Sequence, residues 1–408
     1  MPATEYALNN AAMLGLRVRR LEMMEELLRK FISQDERQAI VINITRNGSE
    51  IFTGCYGTNT KPYGVKQDLI FPVASITKPV IGALLLILQE EGLVDLNDPV
   101  SKYLPEFDGG GREKICPWHF LTHSSGLKDE EIWKGVEEYG KTELGLTQPE
   151  DGASHEEWEA FHRLVTEKMG LDPDASSNDR LNAADYIISL KLPVDHPPRS
   201  HMTYCNYGYQ RLKEIIDAVT GEPIDSFAQR KLFHPLGMKD TYWRTPEEKW
   251  DRILGRGEKC EGSPWINTER NYTSESGSGG MKTTAGDITN FGRMILDGGL
   301  YKGERVLSRR SIEEMIKNHN KGVPVPDGDQ AFASWGLGLN IKMDKKDDSG
   351  MLRSRYCLDH GGWAGTKFII DPEEDITAAI FTAEYKADEK PLLVIYGRIL
   401  NILYAALE

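Results

Sequence analysis

Ser75 and Lys78 are the residues whose types and spacing most directly suggest chemistry. They lie in FPVASITKPVIGALLLILQEEG, where a strand-like stretch gives way to an apolar helical run. Residues three apart share one face of a helix, so the Lys78 amine can reach the Ser75 hydroxyl. Pro79 supports a helix start here, because proline is tolerated where backbone N–H groups lack partners. A serine hydroxyl becomes a nucleophile when a neighbour takes its proton, and a lysine of lowered pKa can do so.

The same spacing occurs a second time, at Ser125-Gly126-Leu127-Lys128. Gly126 favours a turn there, so these two side chains need not share a face. From the motif alone, Ser75 as a helix cap and Lys78 as a surface charge would be the simpler interpretation. The choice between the two interpretations therefore depends on other segments.

Two such segments follow later in the chain. Tyr204-Cys205-Asn206 comes just before another helical run, which a residue of this group could simply cap. His360-Gly361-Gly362-Trp363 precedes the strand-like KFIID. Paired glycines beside a strand let another backbone approach closely, as an extended substrate requires, although an ordinary turn is the alternative.

Taken in order, Ser75-x-x-Lys78, Tyr204-x-Asn206 and His360-x-Gly362 resemble the signature of the penicillin-recognising serine hydrolases. The Tyr-x-Asn form resembles the class C β-lactamase branch, which also contains family VIII carboxylesterases, D-aminopeptidases and acyl transferases. The resemblance extends from about Gln38 to Ala383. Supporting stretches are EGLVDLNDPVSKYLPEF, FLTHSSGL, GSGGMKTTAGDITNFGRMILDGG and WGLGLNI.

The resemblance implies a role for each residue. Ser75 would attack the acyl carbon and form an acyl-enzyme, while Lys78 and Tyr204 would move its proton to the leaving group. Tyr204 could later activate the hydrolytic water if nearby cations lower its pKa. Asn206 would hold Lys78 and the substrate by hydrogen bonds. The backbone N–H groups of Ser75 and Trp363 would form the oxyanion hole.

His360 departs from the antibiotic-targeted members, which carry lysine at this position. A lysine there can anchor a substrate carboxylate, whereas an imidazole is mostly neutral. With Gly361, Gly362 and Trp363, His360 is expected to bind substrate. The departure favours small acyl esters as substrates, then D-peptides or other amides, then weak β-lactamase activity. A non-catalytic scaffold of the same fold is a more distant alternative, since the residues expected to carry the chemistry are all present.

A metal hydrolase is the main rival class of enzyme. His119 and His123 have the spacing of a zinc-binding helix, but HFLTH lacks the glutamate of His-Glu-x-x-His. Both belong to FLTHSSGL and are interpreted as structural, while His155 and His162 are interpreted as surface residues. An α/β-hydrolase is disfavoured because no Gly-x-Ser-x-Gly occurs. We therefore expect no metal and no cofactor.

Composition narrows the choice of partner and compartment. The net charge of −14 disfavours binding to nucleic acid or to anionic membranes. The resemblance implies a small ester, amide or peptide as the partner. The five scattered cysteines predict no disulfide framework. The first residues do not resemble a signal peptide, and the apolar run 79–88 is too short to span a bilayer. These features predict a cytoplasmic protein, of undetermined oligomeric state.

The pattern of elements predicts an α+β fold, and the resemblance implies that it is of the β-lactamase/transpeptidase type. Periodicity predicts a first helix from about Ala11 to Phe31 and a last one over 391–407. Asn47-Gly48 predicts a hairpin, and KFIID and ITAAIFTAE predict a second strand pair. We expect an antiparallel sheet domain built from residues 1–95 and 275–408, flanked by helices. A mainly helical lobe would occupy 96–274, with an acidic surface excursion at 128–180 that contributes in part to a lid.

Overall fold

The computed structural model describes residues 4–34, 37–58, 61–150, 152–171, 183–194, 196–255, 264–325, 333–347, 349–363, 365–384 and 393–408. Its helices are α1 Glu5–Met13, α2 Val18–Ser33, α3 Thr77–Glu90, α4 Pro117–Leu121, α5 Asp129–Thr142, α6 His155–Lys168, α7 Ala183–Ser189, α8 Asn206–Thr220, α9 Ile224–Ala228, α10 Glu269–Tyr272, α11 Ala285–Leu296, α12 Arg309–Ile316 and α13 Leu393–Tyr404. Its strands are β1 Arg37–Arg46, β2 Ser49–Gly57, β3 Phe71–Pro72, β4 Lys282–Thr283, β5 Leu300–Tyr301, β6 Glu304–Arg305, β7 Asn340–Ile341, β8 Leu358–Gly362, β9 Thr366–Asp371 and β10 Ile376–Glu384.

The largest sheet has six antiparallel strands in the order β2-β1-β10-β9-β8-β7. Its strands come from the first 57 residues and from residues 340–384, so both ends of the chain build it, as expected. The α+β prediction is confirmed. The domain boundaries drawn from the sequence stay a prediction.

The backbone conformation of the turn between β1 and β2 accounts for the Asn-Gly pair found there. Asn47 and Gly48 both have positive φ, at 49° and 73°. Two such residues form the type I′ turn whose twist matches a β-hairpin, and Asn-Gly is the pair that adopts it most readily. The predicted hairpin is confirmed.

The two faces of the sheet pack against different sets of helices. Along β1, Ile40, Ile42 and Ile44 join a core shared with α2 and α13, whereas Ala39 and Val41 join the core that contains α3, α8 and α11. This alternation follows from the two-residue period of a strand. The sheet therefore separates the helices of the chain ends from those that position the candidate site.

The predicted first helix is wrong in one respect, because it is two helices. Helix α1 ends at Met13 and α2 begins at Val18. Gly15 between them has φ of 77°, a left-handed conformation that ends a helix. Thr4 caps α1, its hydroxyl accepting a hydrogen bond from the Ala7 N–H at 3.2 Å.

The acidic segment forms helices in the part that the structure describes, and its interpretation as a surface excursion that contributes to a lid stays a prediction. Helices α5, α6 and α7 enclose a small core of their own, made of Val136, Phe161, Val165, Ala184 and Ile188. His162, expected at the surface, lies 3.5 Å from a Glu137 carboxylate oxygen and 3.8 Å from one of Asp185. Residues 172–180 lie outside the described residues.

Helix α3 is the apolar run noted in the sequence, and every residue from Thr77 to Leu88 is buried. A Cβ at Gly82 would lie 2.6 Å from the Leu337 carbonyl oxygen, so another backbone segment packs directly on the helix. Over the described ranges, no helix is long and apolar enough to cross a membrane. The same ranges contain four of the five cysteines and no disulfide between them, and Cys260 lies outside.

We predict that Gly82→Ala lowers the free energy of unfolding by about 1–3 kcal/mol, because the added methyl must displace the Leu337 backbone. Gly286→Ala is the matched control, since its Cβ would meet nothing closer than 4.0 Å in helix α11. That variant should be unchanged or more stable by up to about 1 kcal/mol. Urea unfolding measures both, and equal effects would contradict the close approach at Gly82.

Candidate active site

Ser75 lies on a tight turn between strand β3 and helix α3. Residues Ala74–Ile76 form a single 3-10 turn, and Ala74 has φ of 45°, which is uncommon for any residue but glycine. The Thr77 hydroxyl donates to the Ala74 carbonyl at 2.7 Å and accepts from the Met281 N–H at 3.1 Å. These bonds fix the turn and direct the Ser75 side chain toward Lys78.

Lys78 has no exposed surface, and its amine meets oxygens from three parts of the chain. Nζ donates to Ser75 Oγ at 2.9 Å, to Asn206 Oδ1 at 2.9 Å and to the Ser278 carbonyl at 2.8 Å. A buried amine needs such acceptors, since burial without them would be costly. The predicted contact between Lys78 and Ser75 is therefore present, with Asn206 added to it.

The phenol ring of Tyr204 lies beside the Lys78 amine, and the ring centre is 4.9 Å from Lys78 Nζ. The Tyr204 side chain is 39% exposed, so it forms part of the open wall of the site. His123 stacks on its inner face, with ring centres 4.2 Å apart, and His123 Nδ1 accepts the Cys205 N–H at 3.1 Å. Burial, reinforced by Lys78, holds the pKa of His123 well below its usual value, so this ring is neutral.

Asp129 is a site residue that sequence reasoning missed. Its carboxylate accepts from the backbone N–H of Asn206 at 2.8 Å and from that of Tyr207 at 3.0 Å. It also accepts from Asn206 Nδ2 at 3.0 Å and from the Cys205 thiol at 3.1 Å. Asp129 therefore caps helix α8, and the interpretation of 204–206 as residues that cap their own helix is wrong.

Both polar atoms of the Asn206 side-chain amide form hydrogen bonds with other side chains of the protein. Oδ1 faces Lys78 and Nδ2 faces Asp129. The expected hold on Lys78 is thus present, and the expected hydrogen bond from Asn206 to a substrate stays a prediction. In the sequence, Asp129 is only one of several acidic residues in the segment 128–180, and nothing in its neighbourhood marks it as part of a site.

The Ser278 carbonyl is the second feature that sequence reasoning missed, because a backbone oxygen leaves no signature in side-chain types. Its loop is held by buried groups on both sides. Trp243 Nε1 donates to the Ser276 carbonyl at 2.9 Å. Lys282 Nζ donates to the carbonyls of Trp243 at 2.6 Å and Ser274 at 3.1 Å.

Strand β8 brings the His360 segment against the Ser75 turn. A Cβ at Gly362 would lie 2.3 Å from the Val73 carbonyl oxygen, so only glycine fits there. The close approach predicted from the paired glycines is therefore made by the protein's own turn. Trp363 follows at the mouth of the site, 38% exposed, and Gly361 is exposed on the other face of the strand.

The His360 ring is buried among aromatic side chains. Its centre lies 6.3 Å from that of Tyr204 and 5.8 Å from that of Trp335. Nδ1 donates to the Gly361 carbonyl at 2.8 Å, while Nε2 has no hydrogen-bond partner among the described residues. Burial, followed by the charge of Lys78, lowers the pKa of His360 to about 3. The imidazole is therefore neutral at physiological pH.

Asp359, next to His360 on β8, belongs to a buried ionic network. Lys367 Nζ lies 2.6 Å and Arg353 Nη1 2.7 Å from its two oxygens, and Arg353 also binds Asp347. Burial alone would raise the pKa of Asp359, but the two cations outweigh it and hold that pKa well below its usual value. Neighbours in a strand point to opposite faces, so this network lies behind the wall that His360 forms.

The second Ser-x-x-Lys pair is not joined. The Ser125 hydroxyl accepts from the Leu127 N–H at 3.3 Å, and Lys128 pairs with Glu131 at 3.5 Å. His119 Nδ1 accepts the Cys116 N–H at 2.9 Å in helix α4, as a structural role requires. Within the described ranges, no three His, Cys, Asp or Glu side chains are grouped as metal ligands.

With this geometry in place, comparison with known proteins is decisive. The family model for beta-lactamase matches residues 24–393. The chain belongs to the beta-lactamase family. It is therefore a serine hydrolase, as the motifs indicated.

Three members of this group are instructive. Human mitochondrial serine beta-lactamase-like protein LACTB is 24% identical, over 89% of this chain and 74% of its own. The Escherichia coli K12 D-alanyl-D-alanine-carboxypeptidase/endopeptidase AmpH is 26% identical, over 79% of this chain and 72% of its own. A family VIII carboxylesterase structure superposes with a TM-score of 0.63 at 14% identity, over 94% of this chain and 98% of that one. The last comparison confirms the fold.

We predict that His360 makes this beta-lactamase-family protein sensitive to acid. The pKa of His360 is about 3 in the folded protein, against 6.5 for an unperturbed histidine. Between these two pH values, His360 therefore binds a proton in the unfolded chain but not in the folded one. Stability then falls as the pH falls from about 6.5 to 3, by up to about 1.4 kcal/mol per pH unit. His360→Gln removes the His360 share of this loss, while His123, whose pKa is also lowered by burial, keeps its own share.

Urea unfolding at pH 7 and pH 5 tests this prediction. His234→Gln at an exposed position is the matched control and should lose as much stability as the wild type. An equal loss in His360→Gln and the wild type would refute the assignment of acid sensitivity to His360.

Proposed function

We propose that this protein hydrolyses small uncharged acyl esters through an acyl-enzyme formed on Ser75. The observation that carries the proposal is the contact between Lys78 Nζ and Ser75 Oγ, which lie 2.9 Å apart. Two further oxygens, Asn206 Oδ1 and the Ser278 carbonyl oxygen, hold the same amine in place. A base held at hydrogen-bond distance from a serine hydroxyl is the requirement for nucleophilic catalysis by serine.

The reaction has two halves. In the first, Lys78 acts in its deprotonated form, in which a lone pair replaces the N–H directed at Ser75 Oγ, and Ser75 Oγ bonds to the acyl carbon as its proton passes to this amine. The ester C–O bond then breaks, and the alcohol leaves with a proton delivered through Tyr204. In the second half, water gives a proton to Tyr204 or Lys78 and attacks the acyl carbon. The acid is released and Ser75 Oγ recovers its proton.

The developing oxyanion would be stabilised by the backbone N–H groups of Ser75 and Trp363. The support for this role is the packing of β8 on the Ser75 turn, which Gly362 permits. The pair lies at the mouth of the site, where Tyr204 and Trp363 are both partly exposed. An extended substrate could therefore reach Ser75 from solvent.

The choice of an uncharged ester rests on His360. The position that is lysine in antibiotic-targeted members holds a neutral imidazole, and the nearby cations Arg353 and Lys367 are bound to Asp359. A substrate carboxylate would thus lack its partner at this point. Similarity to a family VIII carboxylesterase supports the same choice.

An amidase or D-aminopeptidase is the second candidate. The likeness to AmpH, named as a carboxypeptidase and endopeptidase, favours amide substrates. The acyl-enzyme would be the same, with an amine in place of the alcohol. Weak β-lactamase activity ranks third.

A cytoplasmic location, and the absence of membrane and nucleic acid partners, also stay predictions.

We predict that a fluorophosphonate probe labels the wild type and that Ser75→Ala abolishes the labelling, since the nucleophile is lost. Ser125→Ala, at the second Ser-x-x-Lys pair, should label as well as the wild type. Mass spectrometry of labelled peptides measures the result. Labelling that persists in Ser75→Ala would exclude Ser75 as the nucleophile.

We predict a higher kcat/KM for p-nitrophenyl butyrate than for a D-alanyl anilide or nitrocefin. His360→Lys restores a cation at the wall, and a charge-assisted hydrogen bond should raise the ratio of nitrocefin to butyrate kcat/KM by about 10-fold or more. His360→Met, which adds no charge, should not raise it. A much faster anilide reaction would favour the amidase instead, with the mechanism unchanged.

A further inference from the structure

The N-terminus of helix α8 carries both Tyr204 and Asn206, and one carboxylate holds it. Asp129 is only 4% exposed and receives two backbone N–H groups, the Asn206 amide nitrogen and the Cys205 thiol. Capping the helix needs only the backbone contacts. The bond to Asn206 Nδ2 at 3.0 Å is additional, and it bears on the site.

We infer that Asp129 is a positioning residue that orients the Asn206 amide toward Lys78. The inference rests on the proposed function, because it concerns the base that would serve Ser75. An amide has one end that donates and one that accepts, and an ionised carboxylate only accepts. Asp129 can therefore bind only Nδ2, which turns Oδ1 toward the Lys78 amine.

The opposite orientation of the amide would be doubly unfavourable. It would place the Asn206 oxygen against the Asp129 carboxylate and the Asn206 nitrogen against the Lys78 amine. Lys78 would then lose one of the three oxygens that hold it 2.9 Å from Ser75 Oγ. Asp129 thus acts on the reaction through Asn206, without touching Lys78 or the substrate.

The test is a double-mutant cycle of Asp129→Asn and Asn206→Ala, read as the rate constant for fluorophosphonate labelling of Ser75. Each single variant should label about 10- to 100-fold more slowly, since small displacements of a catalytic group have effects of this size. The double variant should be no slower than the slower single variant, because Asp129 acts through the Asn206 side chain. Multiplicative effects would mean that Asp129 only caps α8, and would overturn the inference.

Asp185→Asn is the matched control, since Asp185 is a fully buried aspartate on α7, which packs against α5. It should lower the melting temperature without slowing the labelling. If Asp129→Asn does not fold, Asp129→Ser replaces it, because a hydroxyl can still accept a helix N–H but does not impose the amide orientation. The same non-additivity with Asn206→Ala is expected.

A second measurement does not depend on activity. The side-chain NH2 signal of Asn206 in a ¹⁵N NMR spectrum, assigned by its absence in Asn206→Ala, should shift in Asp129→Asn and stay in place in Asp185→Asn. An unchanged signal in Asp129→Asn overturns the inference whatever the labelling shows. An unlabelled wild type with the expected shift supports the orienting contact and refutes the proposed function.

Discussion

The burial of the Lys78 amine is the constraint on which the rest of the site depends. An amine removed from water must find hydrogen-bond acceptors within the protein. Lys78 finds them at Ser75 Oγ, Asn206 Oδ1 and the Ser278 carbonyl, which come from segments about 130 and 200 residues apart. The site can therefore exist only if helix α3, helix α8 and the loop before β4 meet at one point. The six-stranded sheet and its shared core hold these three elements together.

Each of the three oxygens has its own support, and each support is also buried. Asp129 fixes the start of α8, and the Lys282 amine fixes the loop that presents Ser278. Gly362 lets β8 close against the turn that carries Ser75. Removing the side chain of Asp129 or of Lys282 would leave other buried groups without their hydrogen-bond partner, and a side chain at Gly362 would push β8 away from the turn. The chemistry thus depends on a wider shell of residues than the motifs contain.

The features predicted correctly from the sequence are those with a local physical cause. Asn47-Gly48 has the backbone freedom of its turn, Ser75 and Lys78 share a helical face, and KFIID is a short apolar run typical of a buried strand. Asp129 and the Ser278 carbonyl could not be found this way, because their contacts join residues 77 and 200 positions apart. The small core of helices α5, α6 and α7 was not predicted for a related reason. Its apolar residues are spread over three helices, and the core appears only when these pack together.

Strand β8 divides the charges of this region between its two faces, and the division bears on substrate choice. Asp359 on the rear face gathers the cations Arg353 and Lys367. His360 on the front face is neutral, because burial and the nearby Lys78 amine both oppose its protonation. A lysine in its place would be a second cation near Lys78, and a substrate carboxylate would have to neutralise it, because β8 keeps the Asp359 carboxylate behind the wall. The neutral imidazole is therefore matched to the buried amine, and it leaves the front wall suited to an uncharged group.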